Sequence, residues 1–279
     1  MYQPDLRILF PKPANASDYD ATFLWYDEGT VVLKRMDMKP TVSIIITVYR
    51  TPGTLHELYR RLRQVLEKCH VAFEIIFVDD ASPDDSSRIV ESISREDQRV
   101  VLIPLKENVG QHQAILTGLS YCRGEWAINL DADLQDSPED IPSLLSKAQE
   151  GFDAVFAARQ GIHESYLRLL TSRIVKGILH VLCGMNPDTG TFVAMNRSMI
   201  DHLLTMHGPY PYIPGMIHCT GLRVASVPVT RVKRSIGESS YKPWGRIKLA
   251  SRAISWVLAW KWRAVLKHAY PAQKKRVSK

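Results

Sequence analysis

The segment Trp126-Ala127-Ile128-Asn129-Leu130-Asp131-Ala132-Asp133-Leu134-Gln135-Asp136 carries an apolar run directly into a cluster of acids. Its first five residues are typical of a buried strand, and the acids follow where that strand would end. Two carboxylates on alternate residues, with an amide two positions later, form a hard oxygen site suited to Mg²⁺ or Mn²⁺. Aspartate is also common in turns. The rest of the sequence is therefore needed to distinguish a metal site from an ordinary turn.

Outward from this segment, apolar strands alternate with helical patterns. The predicted strands are 42–48, 73–78, 100–105, 126–130 and 153–158. The predicted helices are 55–70, 82–95, 111–122 and 138–150, the second with Ser82 as its N-cap and Pro83 in its first position. Such alternation predicts an α/β fold of the doubly wound class, with a mainly parallel sheet and helices on both faces.

The chain divides into three parts. Residues 1–40 form an extension with a possible hairpin that turns at Asp27 to Thr30. Residues 41–245 hold the α/β domain, which continues beyond residue 160 with a helix from Ser165 to Cys183 and a strand from Leu222 to Val229. Residues 246–279 form an amphipathic, basic, tryptophan-rich helix and a tail.

Polar residues collect where three of the predicted strands end. They are Thr47-Val48-Tyr49, Asp79-Asp80 and Asp131-Ala132-Asp133. Ligands of doubly wound sheets bind beyond these carboxyl ends.

An acidic edge repels a diphosphate, so a metal at Asp133 must intervene, whereas ribose or base donors can meet carboxylates directly. A nucleotide-sugar fits both demands, although Asp79 and Asp80 could also serve an ordinary turn. The chain has neither the Walker nor the dinucleotide glycine pattern, which argues against a nucleotidase or a dehydrogenase.

Charge and cysteine content restrict the environment. The chain has 36 Lys and Arg against 29 Asp and Glu, and no acid follows Glu238. Its four cysteines are widely spaced without a Cys-x-x-Cys pair, which favours reduced thiols in a cytosol over a disulfide framework or a zinc site. The acidic, proline-containing N-terminus does not look like a signal peptide, so export is not expected.

Six segments together resemble one known family. They are VSIIITVYRTP (42–52), EIIFVDDASPDDS (74–86), NVGQHQAILTGLSYCRGEWAINLDADLQDSPEDIP (108–142), AAR (157–159), DTGTF (188–192) and RSIGESSY (234–241). In order and spacing they resemble the family 2 glycosyltransferases with the GT-A fold, and within them the polyprenyl-phosphate sugar transferases similar to dolichol-phosphate mannosyltransferase. The resemblance covers about residues 42–245.

The resemblance implies roles for individual residues, which fall into three groups. Those that bind the nucleotide-sugar are Thr47, Tyr49, Val78, Asp80, Asp131, Ala132 and Asp133. Asp133 and Gln135 hold Mg²⁺ or Mn²⁺. Arg159 and Arg234 lie near the donor diphosphate and the acceptor phosphate, and Asp188 is a possible base or acceptor organiser. Read without the resemblance, each arginine could be a surface charge and Asp188 a turn acid.

The implied reaction is metal-dependent, inverting transfer of a hexose from UDP- or GDP-hexose to polyprenyl phosphate. The chain departs from the family pattern at Arg50-Thr51, Val193 and Ser240, which leaves the donor and the acceptor open. One alternative is transfer to a lipid-linked saccharide in surface polysaccharide assembly. Another is a non-catalytic membrane adaptor with the same fold.

The C-terminal helix suggests contact with a membrane. Its uncharged run, Ala253 to Trp260, is far shorter than the ~20 apolar residues of a membrane span, so transmembrane helices like those of most relatives are not expected. Trp256, Trp260 and Trp262 among basic residues favour an interfacial helix on the anionic cytosolic face of the cell membrane. The alternative is a helix packed on the domain. No recognition motif accompanies the charge, so nucleic acid is not expected as a partner.

Overall fold

The computed structural model describes residues 22–27, 30–35, 40–160, 166–186, 189–206, 208, 210–230 and 250–262. At 22–35, 159–160, 166–173 and 230 it describes the backbone alone. The predicted hairpin in the extension is confirmed: strands β1 (Thr22–Asp27) and β2 (Thr30–Arg35) pair antiparallel, with Asp27 opposite Thr30.

A seven-stranded sheet with the order β5-β4-β3-β6-β8-β7-β9 forms the centre of the fold. Its strands are β3 (Val42–Val48), β4 (Phe73–Asp79), β5 (Val100–Pro104), β6 (Trp126–Asp131), β7 (Ala154–Gln160), β8 (Val193–Asn196) and β9 (Val224–Thr230). β8 runs antiparallel to β6 and β7, and the other pairings are parallel. The predicted, mainly parallel sheet is thus confirmed. β8 was missed because four residues that lead directly into a helix carry too little periodicity.

Helices cover both faces of the sheet. They are α1 (Leu55–Lys68), α2 (Ser86–Glu96), α3 (Gln111–Tyr121), α4 (Ile141–Ala148, after a 3₁₀ turn at Pro138–Asp140), α5 (Tyr166–Cys183), α6 (Arg197–Thr205), α7 (Ile213–Cys219) and α8 (250–262). Alternate residues of β3 point to opposite sides: Ile44 and Ile46 belong to the core that contains residues of α1, α2 and α4, whereas Ile45 belongs to the core that contains residues of α3 and α5 to α8. The sheet therefore separates two apolar cores, as a doubly wound fold requires.

Close packing brings α3 onto the sheet. A Cβ at Gly118 would lie 2.5 Å from Ile45 Cγ2 and 3.2 Å from Val78 Cγ2. A larger residue at Gly118 would therefore push α3 away from β3 and β4, and α3 carries residues of the candidate site at its first turn.

The C-terminal helix packs against the domain. Ala253, Trp256 and Val257 are buried in the core on the α3 side, and Trp256 is only 3% exposed. Trp256 stacks on the half-buried Trp260, whereas Trp262 is 66% exposed. The expectation that Trp256 meets a membrane is wrong, because the apolar stripe of α8 already has a protein partner. In the part of the chain that the structure describes, none of the helices could span a bilayer.

Candidate active site

Three predicted polar clusters lie side by side at the carboxyl edge of the sheet. Thr47, near the end of β3, pairs with Val78 of β4 on one side and with Asp131 of β6 on the other. The chain runs from β3 outward to β4 and β5 and then returns to the other side of β3 as β6, by way of α3, which lies on the opposite face from α1. A crevice forms at such a switch point, and ligands of open α/β sheets bind there.

The loops that leave these three strands contain residues in the left-handed backbone region. Arg50 (φ 57°), Ala81 (φ 53°) and Leu134 (φ 59°) follow β3, β4 and β6. A residue with a Cβ pays about 1–2 kcal/mol for this conformation. Strain of this kind concentrates at functional sites, where the surrounding structure holds it. The three loops are therefore candidates for a ligand-binding site.

Asp80 directly follows β4 at this edge of the sheet. It is buried, and its two carboxylate oxygens accept hydrogen bonds from the backbone amides of Val109 at 2.7 Å and Gly110 at 3.0 Å. Burial raises the pKa of Asp80, the two amides oppose that rise, and the charge of Asp79 adds to it. Asp80 thus holds the loop before α3, where Gly110 has φ +90°. Its contact with a nucleotide stays a prediction.

Asp131 is oriented by residues from two other elements. Its Oδ1 accepts hydrogen bonds from Gln111 Nε2 at 2.7 Å and from Thr191 Oγ1 at 3.1 Å. Gln111 is the first residue of α3, and Thr191 is held in turn because its carbonyl accepts from Asn129 Nδ2 at 2.8 Å. The carboxylate therefore has a fixed direction at the switch point.

Asp133 and Gln135 lie on the loop after β6. Asp133 Oδ1 accepts a hydrogen bond from the backbone amide of Gln135 at 3.1 Å, and the carbonyl of Ala132 accepts one from Thr54 Oγ1 at 2.6 Å. Among the described residues no group of three or more His, Cys, Asp and Glu could hold a metal by itself. A carboxylate and an amide oxygen at a half-buried loop nevertheless fit Mg²⁺ or Mn²⁺, which take the rest of their shell from water and substrate phosphate.

The expected base pocket is only partly supported by side-chain positions. Thr47 and Tyr49 are half-buried, and the Arg50 guanidinium lies 5.2 Å from the centre of the Tyr49 ring. Val78 is fully buried in the core below α3, so its side chain cannot line the pocket. Ala132 is likewise buried, with 4% of its surface exposed. For both residues the expected ligand contact is restricted to the backbone.

The N-cap prediction for the helix after β4 is wrong. α2 begins at Ser86 with Asp85 as its N-cap residue. Ser82 instead ties the edge together, because its amide donates to Asp79 Oδ1 at 3.2 Å and its hydroxyl accepts from the Arg50 amide at 3.4 Å. The local capping pattern was outcompeted by these contacts with the neighbouring strand ends.

Three predicted residues cannot be placed in the site. Asp188 and Arg234 lie outside the described residues, and Arg159 is described by its backbone alone, in β7 opposite Val229. Conversely, Gln111, Thr191 and the amides of the loop before α3 were missed as contributors to the site. They lie in segments of the family pattern, which could have indicated that they belong to the site. Their contacts with Asp131 and Asp80, however, become visible only in the fold.

Comparison with known proteins identifies the family of the chain and agrees with its fold. The model of the family described as glycosyl transferase family 2 matches residues 43–204. The chain is 37% identical over 203 residues to undecaprenyl-phosphate 4-deoxy-4-formamido-L-arabinose transferases of Salmonella choleraesuis and Salmonella paratyphi B. Each alignment covers 72% of this chain, and the chain spans 62% of the length of each relative.

Solved structures support the predicted GT-A-type fold. Glucosyl-3-phosphoglycerate synthase from Mycobacterium tuberculosis, in complex with Mn²⁺, UDP-glucose and phosphoglyceric acid, is similar with a TM-score of 0.58 at 16% identity, over 79% of both chains. Mannosyl-3-phosphoglycerate synthase from Rubrobacter xylanophilus gives a TM-score of 0.57 at 14% identity, over 85% of this chain and 77% of that one. The family model covers more than half of the residues, in the region that contains the switch-point acids. The chain therefore belongs to glycosyl transferase family 2.

Proposed function

We propose that the protein transfers a sugar from a nucleotide-sugar to a polyprenyl phosphate such as undecaprenyl phosphate, with the help of a divalent cation and with inversion at the sugar. One observation carries the proposal: the oriented Asp131 and the loop of Asp133 meet at the switch point of a family 2 fold. The 37% identity with undecaprenyl-phosphate transferases supports the acceptor class.

The donor would lie across the switch point. Thr47 and Tyr49 face the base, and Asp131, held by Gln111 and Thr191, accepts hydrogen bonds from ribose hydroxyls. Asp80 acts through the loop of Val109 and Gly110, which it positions as the opposite wall. The sugar itself is a hexose or, in view of the relatives' names, a 4-deoxy-4-formamido-arabinose.

Asp133 and Gln135 would hold the divalent cation together with the donor diphosphate. When bound, the cation neutralises the charge that develops on the departing nucleoside diphosphate. The acidic residues of this edge repel an unaccompanied diphosphate. Binding of the donor is therefore expected to depend on Mg²⁺ or Mn²⁺.

Transfer replaces one bond with another at the anomeric carbon. An oxygen of the acceptor phosphate attacks that carbon from the side opposite the diphosphate, the carbon–oxygen bond to the diphosphate breaks, and the nucleoside diphosphate leaves. The acceptor oxygen is already anionic, so a general base is less important than for a hydroxyl acceptor. Arg159 and Arg234 would bind phosphate oxygens with their planar guanidinium groups, and Asp188 would organise the acceptor.

The test is a transfer assay with purified protein. UDP- and GDP-hexoses and UDP-linked 4-deoxy-4-formamido-L-arabinose are each incubated with Mg²⁺ or Mn²⁺ and undecaprenyl phosphate, and the lipid product is extracted. We expect an acid-labile lipid-phosphate sugar with one of the donors. Transfer to a lipid-linked saccharide but not to the lipid phosphate would contradict the proposed acceptor, and absence of transfer from every donor would favour the adaptor.

Two matched variants test the site. Asp133→Ala should lower kcat/KM by about a hundredfold or more, since a group that supports the leaving diphosphate is lost. Glu139→Gln, at an exposed acid shortly after the same loop, should retain activity. Equal activity of Asp133→Ala and the parent would reject the assigned role of the loop after β6.

The cytosolic face of the cell membrane is the proposed place of action. A nucleotide-sugar is a cytosolic metabolite, and a polyprenyl phosphate resides in the bilayer, so the enzyme must work where the two meet. Peripheral attachment to that face follows from this requirement, and the basic C-terminal region supports it because cytosolic leaflets carry anionic lipid.

A further inference from the structure

Large apolar side chains are exposed on two helices, α5 and α8. In α5, Ile174, Ile178 and Val181 are 56%, 40% and 83% exposed, and in α8, Leu258 and Trp262 are 48% and 66% exposed. Ile174, Ile178 and Val181 follow one another at i, i+4 and i+7, so they share one helix face. Contiguous exposed apolar surface is unusual on a soluble protein and marks an interaction site.

α5 and α8 contribute to the same core. Cys183, in the last turn of α5, and Trp260 of α8 both pack against it. Leu179 and Trp256, from the inner faces of the same two helices, belong to one core. We call the exposed apolar residues of these two helices the α5–α8 face: Ile174, Ile178, Val181, Leu258 and Trp262.

The charged residues in the sequences of α5 and α8 are all positive. No Asp or Glu occurs between Glu164 and Asp188, where the charged residues are Arg168, Arg173 and Lys176. Residues 250–279 also lack acids, and eleven of the 36 Lys and Arg follow Glu238. The first 241 residues carry the remaining 25 against all 29 acids. The positive charge is thus concentrated in and beside the helices that expose apolar side chains.

The α5–α8 face is connected to the candidate active site by a short loop. Eight residues lead from Cys183 to Thr191, whose hydroxyl donates to Asp131. Eight residues span at most about 28 Å, and a turn in which the Thr189 amide donates to the Asn186 carbonyl shortens this path. A partner on the face therefore lies within reach of the switch point.

We propose that the α5–α8 face docks on the surface of an anionic lipid bilayer, with Ile174, Ile178, Val181, Leu258 and Trp262 in the interface. Apolar side chains among cations and without acids match the boundary between acyl chains and anionic headgroups. A second copy of the chain is a poorer occupant, because two such faces would bring cation against cation. The inference deepens the proposed function by naming the surface from which the lipid acceptor is reached, while the docking step needs no sugar transfer.

The test compares flotation of the 279-residue protein with phosphatidylcholine vesicles and with vesicles that also contain phosphatidylglycerol, without donor or acceptor. We expect binding to the anionic vesicles that weakens with added salt. Ile174→Glu with Val181→Glu should lower the vesicle affinity roughly tenfold or more, because each glutamate removes apolar contact and repels the headgroups. Both side chains are mostly exposed, so the helix should remain folded, which circular dichroism checks.

The matched control carries the same charge change elsewhere. Gln64→Glu with Gln98→Glu alters two exposed residues outside α5 and α8 and should float like the parent. If both double variants lose vesicle affinity equally, the effect comes from net charge alone and the proposal is overturned. Full binding by the α5 variant would overturn it as well. Parent protein that is dimeric without lipid and becomes monomeric only in the α5 variant would assign the face to a second copy instead.

A second measurement separates docking from catalysis. Asp133→Ala should float like the parent, since it lies outside the α5–α8 face. If transfer is measured, Ile174→Glu with Val181→Glu should slow transfer to vesicle-borne polyprenyl phosphate but leave transfer to a short-chain acceptor in detergent unchanged. Loss of flotation with Asp133→Ala would show that binding depends on the catalytic site, which contradicts the proposal.

Discussion

Asp131 and Asp133 show how far single residues can be understood from their own neighbourhood. Their alternation after an apolar strand predicts an oxygen-rich edge, and the structure places them at the switch point. What directs Asp131 comes from residues 20 and 60 positions away, Gln111 and Thr191. The carboxylate can thus be recognised in the sequence, but the hydrogen bonds that orient it cannot, because they join separate elements.

His112 allows a prediction of stability against pH at the residue scale. It is 8% exposed, its ring meets Tyr212 edge-on with 5.1 Å between centroids, and burial lowers its pKa to about 4. Below its ordinary pKa of 6.5 the unfolded chain binds a proton that the folded protein does not. Stability is therefore lost as pH falls from about 6.5 toward 4, by about 1.4 kcal/mol per pH unit.

His112→Phe should remove this dependence. The difference in free energy of unfolding between parent and variant, from urea titrations, should change by about 2 kcal/mol between about pH 7.5 and about pH 5, in favour of the variant at the lower pH. Any change in the contact with Tyr212 acts at both pH values and cancels. A difference that does not vary with pH would mean that His112 takes up its proton in the folded state.

At the scale of elements, α8 shows that an amphipathic pattern predicts a helix but not what its apolar face contacts. The spacing of apolar residues predicts a helix with one apolar stripe, and the structure has that helix over 250–262. The stripe packs on the domain: a Cβ at Gly208 would lie 2.8 Å from Trp256 Nε1, and one at Gly215 would lie 3.1 Å from Val257 Cγ2. Protein packing and membrane contact require the same periodicity, so the sequence left both open.

The two ends of α8 should respond differently to truncation of a tryptophan. Trp256→Ala removes a buried side chain and should lower the free energy of unfolding by about 3–5 kcal/mol. Trp262→Ala changes an exposed side chain and should shift it by no more than about 0.5 kcal/mol. Urea unfolding, followed by circular dichroism, measures both. Similar small effects would mean that α8 does not contribute to the core.

At the scale of the whole molecule, the packing of the C-terminal region differs from the domain division that the sequence predicts. Residues 246–279 were predicted as one appendage, but α8 belongs to the core of the domain. The basic residues after it are Arg263, Lys267, Lys274, Lys275, Arg276 and Lys279. The part of the chain that packs into the domain therefore includes α8.

Two truncations test this division. Removal of residues 246–279 takes away Trp256 and Val257 from the core and should lower Tm by roughly 10 °C or more. Removal of residues 263–279 alone should leave Tm unchanged and weaken binding to phosphatidylglycerol vesicles at least about tenfold, because six cations are lost. Thermal unfolding and flotation are the measurements. A stable protein without residues 246–279 would contradict the assignment of α8 to the core.

The alternation of strands and helices, the acids at the strand ends and the family motifs could be predicted, because they depend on local composition and spacing. Three features depend instead on contacts between distant elements: β8 enters the sheet antiparallel, Gln111 and Thr191 meet at Asp131, and Trp256 is buried. Periodicity shows that a helix has an apolar face but not what covers it. That depends on which distant elements the fold brings to the face, as it does for α8, and on which faces the fold leaves uncovered, as it does for α5.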